Sequence, residues 1–408
     1  MAPSLRIGLS LSLSGEFEAM GRQAEAALQL LVSDVNREGG VTLGGTRHQL
    51  ALDCRDDASD AEQCRSIYRA LCFGERADLI LGPYSSTLAR VAAPIAEEAG
   101  MVMLNHGGAA DDLYEKRYRM LVGVLSPASD YLAGFVRLLA GLKLWRKRLA
   151  IVSTPSPFAE SVAGGVERAC AERFAKRHGV KIRVKYRGRF DPETTPAKLF
   201  PALARNRVNA LVSAGDYAHD LAVMRAVASS ALSIPVLACV AAGVERFREE
   251  LGEHAEGIVG PSQWEEQAEI QPRLGPSPRE FASRMRAATR KAGCDYPAAQ
   301  AYAAGLLMRA ALEAAGSLEQ PRIREAFSDL RTTTLFGDFA IDRVTGRQIG
   351  HKMLLVQWHQ GNKVVIEAEP NIEGDALEFP AGWRLILSSF QIFKLSRRGE
   401  DESDDEHD

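Results

Sequence analysis

Three hydroxyls stand together in LILGPYSSTLARVAAP (79–94), where an apolar run ends at Gly-Pro and Ser85, Ser86 and Thr87 precede a helical pattern. Hydroxyls placed there cap the orphan N–H groups of a first helical turn. The same N–H groups, with the helix dipole behind them, also receive a carboxylate or a carbonyl oxygen. A second loop of this kind is NHGGAADDL (105–113), where Gly107 and Gly108 allow a ligand close to the backbone. His106 is the one histidine beside these loops, and a loop histidine of this type is expected to face solvent. Further along, TPSPFAES (154–161), GDYAHD (215–220) and CVAAGVE (239–245) each follow a strand-like run. In open parallel sheets, ligands sit beyond the carboxyl ends of strands. Two such sets of ends facing each other would enclose a small molecule.

Catalytic signatures are missing. The chain has no GxxxxGK[ST], no strand-coupled GxGxxG, no HExxH and no GxSxG. The pairs Asp56-Asp57 and Asp111-Asp112 fall at helix starts, where carboxylates favour the dipole anyway. Glu160, Asp216, His219 and Asp220 in the later loops name no reaction. Binding without catalysis is the expectation, with no cofactor and no metal. The six cysteines (54, 64, 72, 170, 239, 294) show no CxxC spacing, so they read as buried thiols. Cys54 could still pair with Cys64 or Cys72.

The elements that must position these loops alternate regularly. Strand-like LRIGLSL (5–11) leads to a helix near 19–37 with Ala24, Ala27, Leu28, Leu31 and Val35 on one stripe, stopped at Gly39-Gly40. Strand 48–54, a helix near 60–73, strand 77–82, a helix ended by Gly100 and strand 101–104 follow. After a helix near 128–142 the grammar restarts: strands 148–153, 180–186, 208–215 and 234–240, with helices near 158–178, 195–206 and 217–230. This alternation predicts two doubly wound α/β lobes with parallel sheets. Helices near 278–293 and 297–315, a turn inside LFGDFAIDRVTGR (335–347) and a hairpin over 352–370 suggest that the chain returns to both lobes.

The 408 residues are 46% hydrophobic and carry a formal net charge of −3, so two domains are the natural prior and a nucleic-acid surface is disfavoured. No run approaches the roughly 20 apolar residues that span a bilayer, so membrane insertion is not expected. MAPSLRIGLSLSLSG alternates like a strand and lacks the pattern of an export signal. The protein is therefore expected in the cytoplasm if the sequence is complete as written, and outside it if a signal was removed. RGEDESDDEHD reads as a solvated acidic tail (398–408), and 371–397 as an extension able to pack on a lobe or in a homodimer.

LSGEFEAMGRQAEAALQLLVSDVNREGGV, LILGPYSSTLARVAAPIAEEAGMVML, YPAAQAYAAGLLMRAALEAAG and LLVQWHQGNKVVI, in that order, resemble the type 1 periplasmic binding proteins, in the leucine/isoleucine/valine-binding branch that feeds ABC transporters. The resemblance covers roughly residues 4 to 370. It implies two lobes joined by three crossing segments, near 123–127, 258–264 and 330–337. Lobe 1 would hold 4–124 with about 262–332, and lobe 2 would hold 125–260 with about 335–370. By position, Ser86 matches the serine that binds the ligand's carboxylate, and Gly107, Gly108 and Ala109 match the loop around the carboxylate and ammonium. Phe158 and Met20 fall on tyrosine positions, and Tyr217 matches a tyrosine facing the cleft. The family's acidic residue for the ammonium is missing around Ala242, where the chain reads Val240-Ala241-Ala242-Gly243; Glu245 is the nearest acid. A buried ammonium without counter-charge costs several kcal/mol. The implied ligand is therefore an aromatic or aliphatic carboxylic acid, or an amide, more than a plain amino acid. Tyr84, Ser85, Ser86, Phe158, Tyr217 and Trp264 would form its pocket. An ABC permease is the implied partner if the protein is exported; an amide sensor of the cytoplasm is the alternative.

Overall fold

The computed structural model describes residues 4–75, 77–142, 144, 146–171, 181–189, 196–290 and 294–367. The extension over 371–397 and the acidic tail over 398–408 lie outside the described residues, as does the helix expected near 158–178 beyond residue 171.

The first sheet is built from β1 (Ser4–Leu11), β2 (Val41–Leu43), β3 (Thr46–Asp56), β4 (Leu79–Leu81), β5 (Met103–Asn105) and β6 (Leu121–Gly123), in the order β2-β3-β1-β4-β5-β6. All neighbours run parallel except β2 and β3. Strand β1 is central because its Ile7, Leu9 and Leu11 are buried on one face while Ser10 is buried on the other. Helices α1 (Glu18–Arg37), α2 (Ala61–Arg69), α3 (Ser86–Ala99) and the short α4 (Asp112–Glu115) connect these strands. Gly100 ends α3 at φ 64°, the left-handed stop anticipated from sequence.

The second sheet contains β7 (Lys147–Ser153), β8 (Ile182–Arg189), β9 (Ala210–Ala214), β10 (Val236–Cys239), β11 (Val259–Ser262), β14 (Leu354–His359) and β15 (Asn362–Glu367). Its order is β15-β14-β11-β10-β9-β7-β8. Strands β7 to β11 run parallel; the late hairpin adds β14 and β15 antiparallel at one edge. Its helices are α5 (Ala133–Gly141), α6 (Pro157–Ala171), α7 (Phe200–Arg205), α8 (Tyr217–Ala228) and α9 (Glu245–Leu251). The turn at Gln360-Gly361 has φ of 48° and 80°, which suits the twist of a two-residue hairpin.

From β11 the chain returns to the first lobe as α10 (Pro278–Thr289), α11 (Tyr296–Ala315) and α12 (Gln320–Asp329). Helix α11 lies so close to α1 that a Cβ on Gly305 would come within 1.8 Å of Leu31 Cδ2. The Tyr302 hydroxyl donates to Asp34 across the same contact, at 2.7 Å. The hairpin β12 (Thr332–Thr334) and β13 (Gly337–Phe339) pairs only with itself.

That hairpin corrects one expectation. The resemblance implies a third crossing near 330–337, but residues 332–348 stay against the first lobe. Phe339 packs on Phe327, Arg324 donates to the Arg343 carbonyl, and the Gly123 amide donates to the Gly346 carbonyl at 2.8 Å. The crossing comes at about 349–353. There one knot ties all three connecting segments. Ser126 Oγ lies 2.6 Å from His351 Nδ1, the Ser126 amide donates to Gln263 Oε1 at 3.2 Å, Gln263 Nε2 donates to the Ser126 carbonyl at 3.1 Å, and His351 Nε2 lies 2.9 Å from the Gln263 carbonyl. All three residues are buried. The six cysteines carry free thiols, so the Cys54 pairings left open by the sequence are not made.

Candidate functional site

The strand ends of the two sheets face each other, and the lobes touch on both flanks of the space between them. On one flank the Asp111 amide donates to Ser161 Oγ of α6 at 3.3 Å. On the other, the Glu245 amide at the start of α9 donates to Asp295, which precedes α11, at 3.3 Å. The described conformation is therefore shut.

On the first lobe the turn after β4 and the loop after β5 are welded together. A Cβ on Gly107 would meet the Pro83 carbonyl oxygen at 2.2 Å, and one on Gly108 would meet Ala89 at 2.5 Å. Both glycines let the loop pack closely on the turn after β4 and on α3. Asn105 holds the loop by accepting the Gly108 amide at 2.9 Å and donating to the Gly108 carbonyl. The hydroxyl of Ser86 accepts the amides of Ala109 and Ala110, at 3.0 and 3.1 Å. Ser85 occupies the N-cap position of α3, but its side chain makes no capping bond. Its Oγ is buried without a protein partner. Capping, the bland explanation of the serines, is thus not what these side chains do.

His106 is fully buried, not solvent-facing, and neither ring nitrogen has a protein partner. Burial lowers its pKa to about 4, so it is a neutral imidazole with one donor and one acceptor. Gln300, on the first turn of α11, is also fully buried with its amide unpartnered, as is Trp264 Nε1 at the second crossing. Buried polar groups are nearly always satisfied, so four such side chains are a feature to be explained.

Aromatic rings supply apolar surface. The Tyr84 and Tyr296 hydroxyls lie 3.1 Å apart, and Phe17 stands edge-on to Tyr84. Phe158 meets Tyr131 edge-to-face at 5.2 Å, while Trp264 meets Phe281 at 5.8 Å. Tyr217 is covered by the Arg246 guanidinium, 4.8 Å from the ring centre. Tyr131, Tyr296, Gln263 and Gln300 were not singled out from sequence. Tyr296 and Gln300 could have been: a Tyr and a Gln four apart at the start of YPAAQAY share one helix face.

In the turn at 240–243 three backbone groups are already bonded. Asp220 accepts the Ala241 amide at 3.0 Å and the Ser213 hydroxyl at 2.7 Å; burial pushes its pKa up to about 7, against the pull of those two bonds. Trp358 Nε1 donates to the Ala242 carbonyl at 3.0 Å, and Lys363 Nζ to the Gly243 carbonyl at 3.1 Å. Ala242 is fully buried behind these bonds. Separately, a cavity of about 290 Å³ lies behind the crossings, between Tyr131, Arg137, His351 and Leu355, and none of the ligand residues expected from sequence lines it.

A model described as periplasmic binding protein matches residues 4–363 of the chain. The Leu/Ile/Val-binding protein BraC3 of Rhizobium johnstonii is 29% identical over 112 residues, 28% of this chain and 29% of its own length. The Leu/Ile/Val-binding protein homolog 7 of Brucella melitensis is 26% identical over 185 residues, 44% of each. The matched stretch thus spans less than half of these curated relatives. Among solved structures, a solute-binding protein of an R. palustris ABC transporter, in complex with benzoate, aligns with a TM-score of 0.73 and 19% identity, over 92% of this chain and 98% of that one. The branched-chain amino acid transporter substrate-binding protein LivJ of Streptococcus pneumoniae, in complex with isoleucine, aligns at 0.71 and 18%, over 88% and 97%. At these identities the likeness establishes the fold.

Proposed function

Because this chain belongs to the periplasmic binding protein family, we propose that it binds a small carboxylic acid or amide between its lobes, unchanged, as the substrate-binding component of an ABC transporter of the branched-chain amino acid type. The observation that carries this reading is the set of neutral, buried and unpartnered polar groups on Ser85, His106, Trp264 and Gln300, beside aromatic rings. Neutral donors and acceptors around an apolar pocket suit a ligand with one polar end and a hydrocarbon body. Ser86, with Ala109 and the loop of Gly107 and Gly108, forms the polar wall; Tyr84, Phe158, Tyr217 and Trp264 form the apolar one. Ala242 contributes packing only. The benzoate complex of the R. palustris neighbour supports an aromatic carboxylate as one member of the ligand class. Opening and closing would proceed about the three crossings.

A thermal-shift screen tests the proposal with purified protein against carboxylates, amides and α-amino acids. A ligand bound only by the folded state adds RT ln(1 + [L]/Kd), about 2.7 kcal/mol at a hundredfold excess over Kd. A rise in melting temperature with carboxylates or amides, and recovery of the compound unchanged, is the expected result. A flat response across the panel, or conversion of the bound compound, would overturn it.

A further inference from the structure

Lys363 lies on the edge strand β15, yet its side chain is only 5% exposed. Its Nζ reaches Glu265 at 3.1 Å, Asp295 at 3.2 Å and Glu245 at 3.5 Å, besides the Gly243 carbonyl. These partners come from different parts of the molecule: Glu265 from the second crossing, Asp295 from the first lobe, Glu245 and Gly243 from the second. Glu265 and Asp295 are buried, while Glu245 is half exposed. Asp295 immediately precedes Tyr296, whose hydroxyl meets that of Tyr84, so the cluster borders the pocket walls. Glu265 likewise follows Trp264.

Three carboxylates and a carbonyl around one nitrogen more than satisfy the three N–H donors of a desolvated primary ammonium. Acids able to receive an ammonium do stand beside 240–243, Glu245 from the same loop and Glu265 and Asp295 from segments distant in sequence, and Lys363 is already set among them. We propose that Lys363 is a specificity-determining residue: its ammonium fills a cation seat bordering the pocket, so the protein accepts acids that lack an α-amino group and rejects their amino counterparts. This rests on the reading of the interlobe pocket as a ligand site. Burial pulls Lys363 towards neutrality, but Glu265, Asp295 and Glu245 outweigh it and hold the proton on. A ligand ammonium would have to displace a cation that cannot leave, because it is covalently part of the chain.

The test is the affinity ratio of the full chain for matched pairs, 4-methylpentanoate with leucine and 3-phenylpropanoate with phenylalanine, by calorimetry. The wild type is expected to prefer the amino-free member of a pair by at least tenfold. Lys363→Met, of similar length and no charge, is expected to shift that ratio at least tenfold towards the amino acid. If buried carboxylate repulsion unfolds this variant, K363M/E265Q keeps Asp295 and Glu245 as receptors with one charge fewer and should show the same shift. A folded variant whose ratio is unchanged overturns the role of Lys363 and leaves carboxylate binding standing. A wild type that prefers the amino acids overturns it as well. If no member of either pair binds the wild type, this inference fails, while the ligand class is decided by the thermal-shift panel.

Discussion

Ser86 and Asp220 show what individual side chains decide. The Ser86 hydroxyl accepts two amides of the loop that carries Ala109, so Ser86→Ala leaves two buried N–H groups without an acceptor. The expected loss is about 1–3 kcal/mol of stability, with ligand affinity falling in parallel; denaturant titration and calorimetry measure the two. Asp220 is fully buried and its pKa is raised to about 7, well above its unfolded value. Its contribution is therefore intact in acid and is lost as pH rises towards 7 and the carboxylate ionises. Asp220→Asn keeps the Ala241 amide on its one oxygen, turns the Ser213 bond round so that its NH2 donates to Ser213 Oγ, and never ionises. The melting temperature of the variant minus that of the wild type should climb between pH 4 and pH 7.5. A constant difference would mean that Asp220 is already charged in acid.

Elements succeed or fail by how closely they approach one another. On α6, a Cβ at Gly165 would stand 1.8 Å from the Ser129 carbonyl oxygen, backbone that cannot swing aside. Gly165→Ala should lower stability by about 1–3 kcal/mol through overpacking, whereas Gly164→Ala, whose nearest neighbour is the Arg168 guanidinium at 3.4 Å, should be close to neutral. Chemical denaturation of both separates packing from helix propensity. The alternation of strands and helices was legible because each carries its own period, and Gly100 marked a helix end through its left-handed backbone. The loops were legible as places, since strand ends in parallel sheets all point one way. Their internal bonding was not. Ser86 turns to the next loop, His106 is buried under it, and Lys363 meets acids 68 to 118 residues away. Contacts at such separations leave no local period to read. The third crossing departs from the place the resemblance implies for a similar reason: only the fold shows Thr332–Thr334 turning back to pair with Gly337–Phe339.

At the scale of the whole molecule, Ser126, Gln263 and His351 tie the three crossings in one buried knot. Gln263→Ala strands the amide and carbonyl of Ser126, an expected loss of about 1–3 kcal/mol. Loosened crossings should also raise the radius of gyration of the ligand-free protein in small-angle scattering; an unchanged radius would show that other contacts set the angle between lobes. The packing of α1 against α11 has a different consequence. The first lobe begins with residue 4 yet is not complete until Gly305 and Tyr302 have reached Leu31 and Asp34. On the ribosome, the opening sheet must wait for nearly 300 residues with one flank bare, while the second lobe is made in between. A chaperone that holds nascent chains should therefore engage this protein early and release it late.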